Sequence, residues 1–452
     1  MKRVVIVGLA RTGAAVARVM VAEGHRVLVV DRADDPVIRE RAAALPPGVE
    51  VQLGGYGEDV ARDALLVCPS PGVPWDAPEL MWARAHGVPV RSEMDLVFER
   101  CRGRVVGITG TNGKTTTTAL VAAILERSGA GVVLGGNIGV PVLDRLTGVT
   151  SDDWVVLELS SFQIETVAEP RCSIACVLNV TPDHLDRHAG FEEYAQLKER
   201  IVRFAVDDVV LGYDDPITRA MAAAARCPVR YFGVDIDTKD GATVRDGDVV
   251  SVEAGAELHV LPSDGIPLFG EHNVLNVLAA AAVARAAGVA PTDIAVAVRG
   301  FHAVPHRLEV LAERDGVLWI NDSKATNAES TIVALRAFGE RPIIWIGGGS
   351  AANTSVDALA EEVALRARHA VLNGESAPAM DAALARRGFE HRTVVTTLAD
   401  AVLAARDAAG PGDVVLLAPG FKSFDQFRDF EQRGDAYRTL VASVLAARAE
   451  RS

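Results

Sequence analysis

Residues 109 to 116 read TGTNGKTT, a glycine-framed turn that runs into a lysine and then threonines. Glycines let the N–H groups of a turn point at an anion, and a helix beginning just afterwards adds the positive end of its dipole. In that setting Lys114 can reach the β- and γ-phosphates of ATP, and Thr115 is placed for Mg²⁺. Gly110, Thr111, Asn112, Gly113 and Thr116 complete the candidate phosphate site. The common P-loop spacing is not met, because five residues rather than four separate Gly107 from Gly113. A plain strand-to-helix turn is the other reading of the same residues.

A second glycine turn, Gly8-Leu-Ala-Arg-Thr-Gly13, follows the strand Val4 to Val7 and precedes RVLVVD, which ends at Asp31. Ala10 occupies the middle position of a dinucleotide fingerprint, and its methyl group hinders the close approach of a bridging pyrophosphate. The turn therefore points to a nucleotide held differently from NAD, with Asp31 placed to accept from a ribose hydroxyl. A nicotinamide oxidoreductase is the rival from another enzyme class, and a non-catalytic nucleotide-binding protein is a second rival.

Other residues could serve a hard cation or a base. Glu158 ends the apolar run WVVLEL, and His184 lies in the polar stretch NVTPDHLDRH. In EEYAQLKERIVRF, Tyr194, Leu197, Ile201 and Phe204 form an apolar helical stripe, and Lys198 adjoins it. A lysine snorkelling from a helix flank is the ordinary reading of Lys198. Asn273 and Asn276 open an Ala-rich helix on one face, which suits the donor and acceptor edge of adenine; helix-capping asparagines have the same spacing.

These residues need a scaffold, and composition restricts it. Hydrophobic residues make up 49% of the 452-residue chain and aromatics only 5%, which favours helices packed on parallel sheets over a β-sandwich. The expected fold is α/β in three domains: a Rossmann-like domain over 1–93, a central P-loop ATPase-type parallel-sheet domain over 94–299, and a Rossmann-like domain over 300–452. The first boundary is placed where RSEMDLVFERCRGR loses regular periodicity. The third segment carries the strands VLWIND, PIIWIGG, AVLNG and DVVLLAP. A formal net charge of −14 with no Lys/Arg run excludes the footprint of a nucleic-acid binder. Five cysteines without CxxC pairing fit a reducing cytosol rather than a disulfide framework. The opening MKRVVIVGLARTG reads as a first strand, and no apolar stretch approaches the about 20 residues that a bilayer span requires.

The phosphate turn resembles the ATP loop of the Mur ligases, cytoplasmic enzymes that add amino acids to the UDP-linked peptidoglycan precursor; folylpolyglutamate synthetases share a similar loop. GGNIGVP (135–141), ELSSFQIE (158–165), NVTPDHLDRH (179–188), WINDSKATN (319–327) and FDQFRDFEQRGD (424–435) extend the resemblance over nearly the whole chain and specify the glutamate-adding branch. The DNPR motif of the branch that adds a diamino acid or lysine is absent.

The resemblance implies a monomeric cytoplasmic ligase. It would activate the carboxylate of UDP-N-acetylmuramoyl-L-alanine as an acyl phosphate at the cost of ATP, then join it to the amine of D-glutamate. Arg11, Thr12, Asp31, Arg32, Gly72, Asn137, Ser160 and Gln163 would contact the UDP-linked precursor. Arg307, in the PHR stretch, and Asp322 would contact ATP. Thr115, Glu158, His184 and Lys198, the last carbamylated by CO₂, would hold two Mg²⁺ ions, and Lys114, Glu158, His184 and Lys198 would carry the catalysis. Lys324, Thr326, Ser423 and Phe430 would hold glutamate. Two loops depart from the family pattern. SAANTS (350–355) lacks the lysine often found there, whereas APGFKS (418–423) introduces Lys422. Either Lys422 replaces the lost charge, or the pocket takes L-glutamate or another amino acid.

Overall fold

The computed structural model describes residues 3–183, 188, 190–351 and 356–449. The chain forms two compact units: Met1–Ile266 with Leu275–Gly300, and Pro267–Val274 with Phe301–Ser452.

The first unit holds two sheets. A four-stranded parallel sheet runs in the order Glu50–Gln52, Arg26–Val30, Arg3–Val7, Ala64–Pro69. The strand Arg3–Val7 is buried on both faces, as expected of a parallel strand covered by helices. Gly13, near the start of the helix Arg11–Ala22, packs so close to the sheet that a Cβ there would stand 2.2 Å from the Gly8 carbonyl oxygen. The helix therefore points its first turn over the C-terminal edge of the sheet, where open α/β sheets bind ligands.

The second sheet has nine strands. Ile174–Val177, Arg104–Thr109 and Trp154–Glu158 are adjacent and parallel, with Ile108 in register with both Cys176 and Glu158. Three strand ends thus deliver the phosphate turn, Glu158 and the Leu178-Asn179 segment to one edge. At the far side Gly241–Arg245, Asp248–Glu253 and Ala256–Pro262 run antiparallel, adding an antiparallel edge to the expected parallel-sheet domain. Their turns place Asp246 and Ala254 at positive φ, each followed by a glycine also at positive φ. Such paired left-handed residues suit two-residue hairpins, and Asp-Gly is a standard signal for them.

RSEMDLVFERCRGR also proves regular: it contains the helix Glu93–Arg100, opened by a reciprocal capping box between Ser92 and Asp95. Met94, Leu96 and Val97 on it join the core that contains the strands of both sheets.

In the second unit a six-stranded sheet runs Glu309–Arg314, Val317–Asn321, Val414–Leu417, Ile343–Gly348, Ala367–Asn373, Arg392–Val394. Only the edge strand Glu309–Arg314 pairs antiparallel. Helices cover both faces, one packed on Trp345 and Leu372, the other on Trp319 and Ile346. Among the described residues no helix is long and apolar enough to cross a membrane.

Candidate functional site

The strand Arg104–Thr109 ends in the phosphate turn, and the helix Lys114–Arg127 leaves it. Gly113 caps that helix at φ +84°, a conformation natural to glycine, and a Cβ there would meet Asn276 Oδ1 at 2.3 Å. No side chain caps this helix, so its first N–H groups are directed at whatever occupies the turn. The turn is fixed from outside: Asn112 N–H donates to Asn179 Oδ1 at 2.9 Å, and Thr111 Oγ1 donates to the Thr181 carbonyl at 3.1 Å. The threonine run, poor for a helix interior, is accommodated because Thr118 Oγ1 donates to the Lys114 carbonyl and Thr117 Oγ1 to Asn276 Oδ1. Thr115 and Thr116 are buried at the same helix end.

Two lysines meet one carbonyl here. Lys114 Nζ donates to the Gly110 and Thr111 carbonyls at 2.8 and 2.7 Å, and Lys198 Nζ donates to the same Gly110 oxygen at 2.9 Å. Lys198 is 1% exposed, with its amine 4.4 Å from the Tyr194 ring centroid. Burial, followed by the Lys114 charge, lowers its pKa to about 6. On the helix Phe191–Arg203 it is more deeply buried than Leu197, so it belongs to the packed face and does not snorkel from a flank. The Tyr194 hydroxyl lies 3.2 Å from Thr111 Oγ1, which ties that helix to the turn.

Glu158 is 2% exposed. Its Oε1 accepts from Asn137 Nδ2 at 2.9 Å, whereas Oε2 is buried with no hydrogen-bond partner. A carboxylate oxygen removed from water without a donor costs about 1–3 kcal/mol or more, and a hard cation is a natural remedy. The chemistry of Glu158 Oε2 thus fits Mg²⁺. Among the described residues no three His, Cys, Asp or Glu side chains converge, so hydroxyl and phosphate oxygens would have to complete the shell. His184 lies outside the described residues, as do 185–187 and 189. Asn273 and Asn276, both buried, are engaged within the fold: Asn273 Nδ2 donates to the Phe269 carbonyl at 2.7 Å, and Asn276 Oδ1 accepts from Thr117.

Two cavities of about 550 and about 560 Å³ flank the first sheet and share Ser70, Gly72, Val73 and Pro74 as a wall. Arg11, Thr12, Gly72, Asn137, Ser160 and Gln163 line one; Asp31, Arg32 and Gly72 line the other. All eight residues expected at the precursor thus border one of the two spaces. Several also hold the scaffold. Asp31 accepts the Leu9 and Ala33 N–H groups at 2.7 and 2.9 Å, and Ser160 with Gln163 forms the capping box of the helix Ser161–Thr166. The sequence reading missed Glu93, a buried residue on the first cavity whose pKa burial raises to about 7, and Tyr56 and Glu79 on the second.

In the second unit, burial raises Asp322 to about 6, opposed by the nearby Arg307 charge, and Arg307 Nε is buried without a partner. His306, at φ +65°, sits between Asn321 Nδ2 at 3.1 Å and its own N–H bond to Glu309 Oε2 at 3.0 Å, which fixes the PHR turn. Lys324 Nζ lies 5.8 Å from the Phe430 ring centroid, and the Thr326 N–H donates to the Lys324 carbonyl at 2.9 Å. Ser423 is buried and its carbonyl accepts the Phe427 N–H at 2.8 Å.

Beneath these residues Arg433, also missed from sequence, donates to Ser323 Oγ, the Ser323 carbonyl and the Phe421 carbonyl at 2.9–3.1 Å. Burial lowers its pKa to about 10. Lys422 is exposed, and its carbonyl accepts the Ser350 N–H at 2.8 Å, bringing the two divergent loops together at their bases. Of SAANTS, residues 352–355 lie outside the described residues.

A glycine turn gripped by two lysines, a buried carboxylate with an unpartnered oxygen and two adjoining cavities are the features expected of a nucleotide-dependent enzyme, and comparison with known proteins specifies the family. The Mur ligase MurD-like N-terminal domain family matches residues 2–92, the Mur ligase middle domain family 108–284, and the Mur ligase glutamate ligase domain family 306–421. A UDP-N-acetylmuramoylalanine--D-glutamate ligase of Acidobacterium capsulatum is 42% identical over 99% of this chain and 98% of its own length. One from Pelotomaculum thermopropionicum is 39% identical over 98% of each chain. The chain belongs to the Mur ligase family. The crystal structure of the UDP-N-acetylmuramate-alanine ligase MurC of Thermotoga maritima aligns at a TM-score of 0.64 and 20% identity, covering 98% of this chain and 100% of that one. A pseudomurein peptide ligase of Methanothermus fervidus aligns at 0.59 and 20% over 98% and 100%. These two structures share the fold.

Proposed function

We propose that this chain is an ATP-dependent, ADP-forming ligase that joins D-glutamate to UDP-N-acetylmuramoyl-L-alanine in peptidoglycan precursor synthesis, acting as a cytoplasmic monomer. The observation that carries the reading is the meeting of Lys114 and Lys198 at the Gly110 carbonyl, on the turn that follows a strand paired with the one ending in Glu158, together with relatives of that name matched along nearly the whole chain. The two cavities sharing the Ser70–Pro74 wall support an extended ligand, nucleotide in one and sugar-peptide in the other. The division into 1–93, 94–299 and 300–452 is carried with this reading.

The chemistry follows from charge. A carboxylate is a poor electrophile, so the L-alanyl carboxylate first attacks the γ-phosphorus of ATP, releasing ADP and leaving an acyl phosphate. The glutamate amine then attacks the acyl carbon, and phosphate departs with one former carboxylate oxygen. Two anions meet in the first step, and Lys114 with the turn N–H groups lowers that barrier by facing the transferring phosphoryl oxygens. Bound Mg²⁺, one ion or two, supplies further neutralisation there; Thr115, Glu158, His184 and carbamylated Lys198 are the residues to hold it. Asn137 keeps Glu158 oriented. The burial of Lys198 supports the carbamate, because reaction with CO₂ needs a neutral amine. Asn273, Asn276, Arg307 and Asp322 take the nucleotide end of ATP. Lys324, Thr326, Ser423, Phe430 and Lys422 receive glutamate.

Phosphate release with UDP-N-acetylmuramoyl-L-alanine, ATP and Mg²⁺ tests the reading. D-glutamate should stimulate it strongly and L-glutamate little. Stimulation by L-glutamate alone would establish the variant substrate, and stimulation by neither would reject the assignment.

A further inference from the structure

Glu79 is a carboxylate with an uneconomical environment. It lies in the first turn of the helix Pro78–Ala85 with its side chain 2% exposed, yet one of its partners, Arg32, is 65% exposed. Oε2 accepts from Arg32 Nη2 at 2.9 Å, and Oε1 accepts from the Tyr56 hydroxyl at 2.8 Å. The Arg32 guanidinium carbon also lies 5.5 Å from the Tyr56 ring centroid. Burying one charge to hold an exposed one gains the fold little, since desolvation of the carboxylate offsets the attraction. What the arrangement does secure is the orientation of a flexible arginine whose remaining surface borders the cavity of about 560 Å³.

Building on the precursor-binding reading, we infer that Tyr56 and Glu79 are positioning residues that hold Arg32 as a flat platform for a carbonyl-bearing pyrimidine, the uracil of the UDP-linked substrate. Three separate segments supply the parts: the end of the strand Arg26–Val30, the loop after Glu50–Gln52 and the helix Pro78–Ala85. The planar fork of arginine suits both stacking and donation to a ring carbonyl, which lysine cannot reproduce. Preorganisation removes the rotamer cost that a free arginine would incur on binding. Burial raises the Tyr56 hydroxyl to about 12, so it remains a donor to Glu79 at neutral pH.

Titration of the full chain with UDP, followed calorimetrically, tests this. Glu79→Gln should weaken UDP binding about tenfold and Tyr56→Phe about threefold, as expected for loss of one charge-assisted and one neutral bond in the clamp. Arg32→Lys should weaken it as much as Arg32→Ala. The decisive arm is Arg32→Ala combined with Glu79→Gln: a positioning role predicts no further loss beyond Arg32→Ala, whereas a general structural role adds the two losses. Additive losses, or Tyr56→Phe and Glu79→Gln both within twofold of the parent, would overturn the inference. A parent chain that fails to bind UDP would instead reject the substrate reading on which it rests.

Discussion

Lys198 and Lys422 carry the same side chain into opposite surroundings. The first is sealed beneath the phosphate turn against Tyr194, its pKa lowered to about 6 by burial; the second is exposed between the buried Phe421 and Ser423, in a loop that diverges from the family pattern. The contrast separates two ways a lysine can serve a ligase. A buried amine is costly to the fold, and on the proposed mechanism its reactivity is what it contributes. An exposed ammonium, on the proposed reading, supplies charge for a carboxylate ligand, and its loss should affect one substrate only.

The strongest test concerns Lys114, whose charge, on the mechanism proposed above, faces the transferring phosphoryl group. Lys114→Ala should lower kcat by about 10³-fold, the scale for removing one preorganised stabiliser of developing charge; a loss below tenfold would remove it from the chemistry.

Lys198→Met should abolish turnover yet raise stability. The folded amine titrates near 6 and an unfolded lysine near about 10.4, so between those values the unfolded chain binds the extra proton and stability rises with pH. Urea titrations in bicarbonate-free buffer should show that slope between about pH 6 and about pH 10, and Lys198→Met should remove most of it. A parent chain without that slope, or a Lys198→Met variant that keeps it, would contradict the neutral buried amine.

On the exposed side, Lys422→Ala should raise the KM for glutamate about tenfold with the KM for ATP unchanged, measured by coupled ADP release. No change would assign Lys422 to solvent. The smallest expected effect is Asn137→Ala. Its bond to Glu158 Oε1 orients the carboxylate without supplying charge, so kcat should fall only about three- to tenfold, with a rise in the Mg²⁺ concentration required.

The same contrast explains what the sequence made legible. TGTNGKTT, Asp31 and the apolar strands could be read because each is a local pattern, and the strands stand where the patterns place them. Asp246-Gly247 and Ala254-Gly255 were local turn signals too, but their hairpins were hidden by the expectation of a parallel domain. RSEMDLVF looked irregular because its cap, not its periodicity, marks the helix. Lys198 could be singled out, but its depth could not, since burial depends on the phosphate turn packing over it. Glu79, Tyr56 and Arg433 had no local signal at all. Glu79 is an ordinary first-turn acid until Arg32, forty-seven residues away, reaches it, and Arg433 an ordinary helical arginine until Ser323 and Phe421 surround it.

The central claim is that the L-alanyl carboxylate attacks ATP. UDP-N-acetylmuramoyl-L-alanine labelled with ¹⁸O in that carboxylate should, on turnover with D-glutamate, deliver one labelled oxygen to each phosphate released, read by the isotope shift in ³¹P spectra. Phosphate free of label would mean that the carboxylate is never phosphorylated, and the acyl-phosphate account would fail.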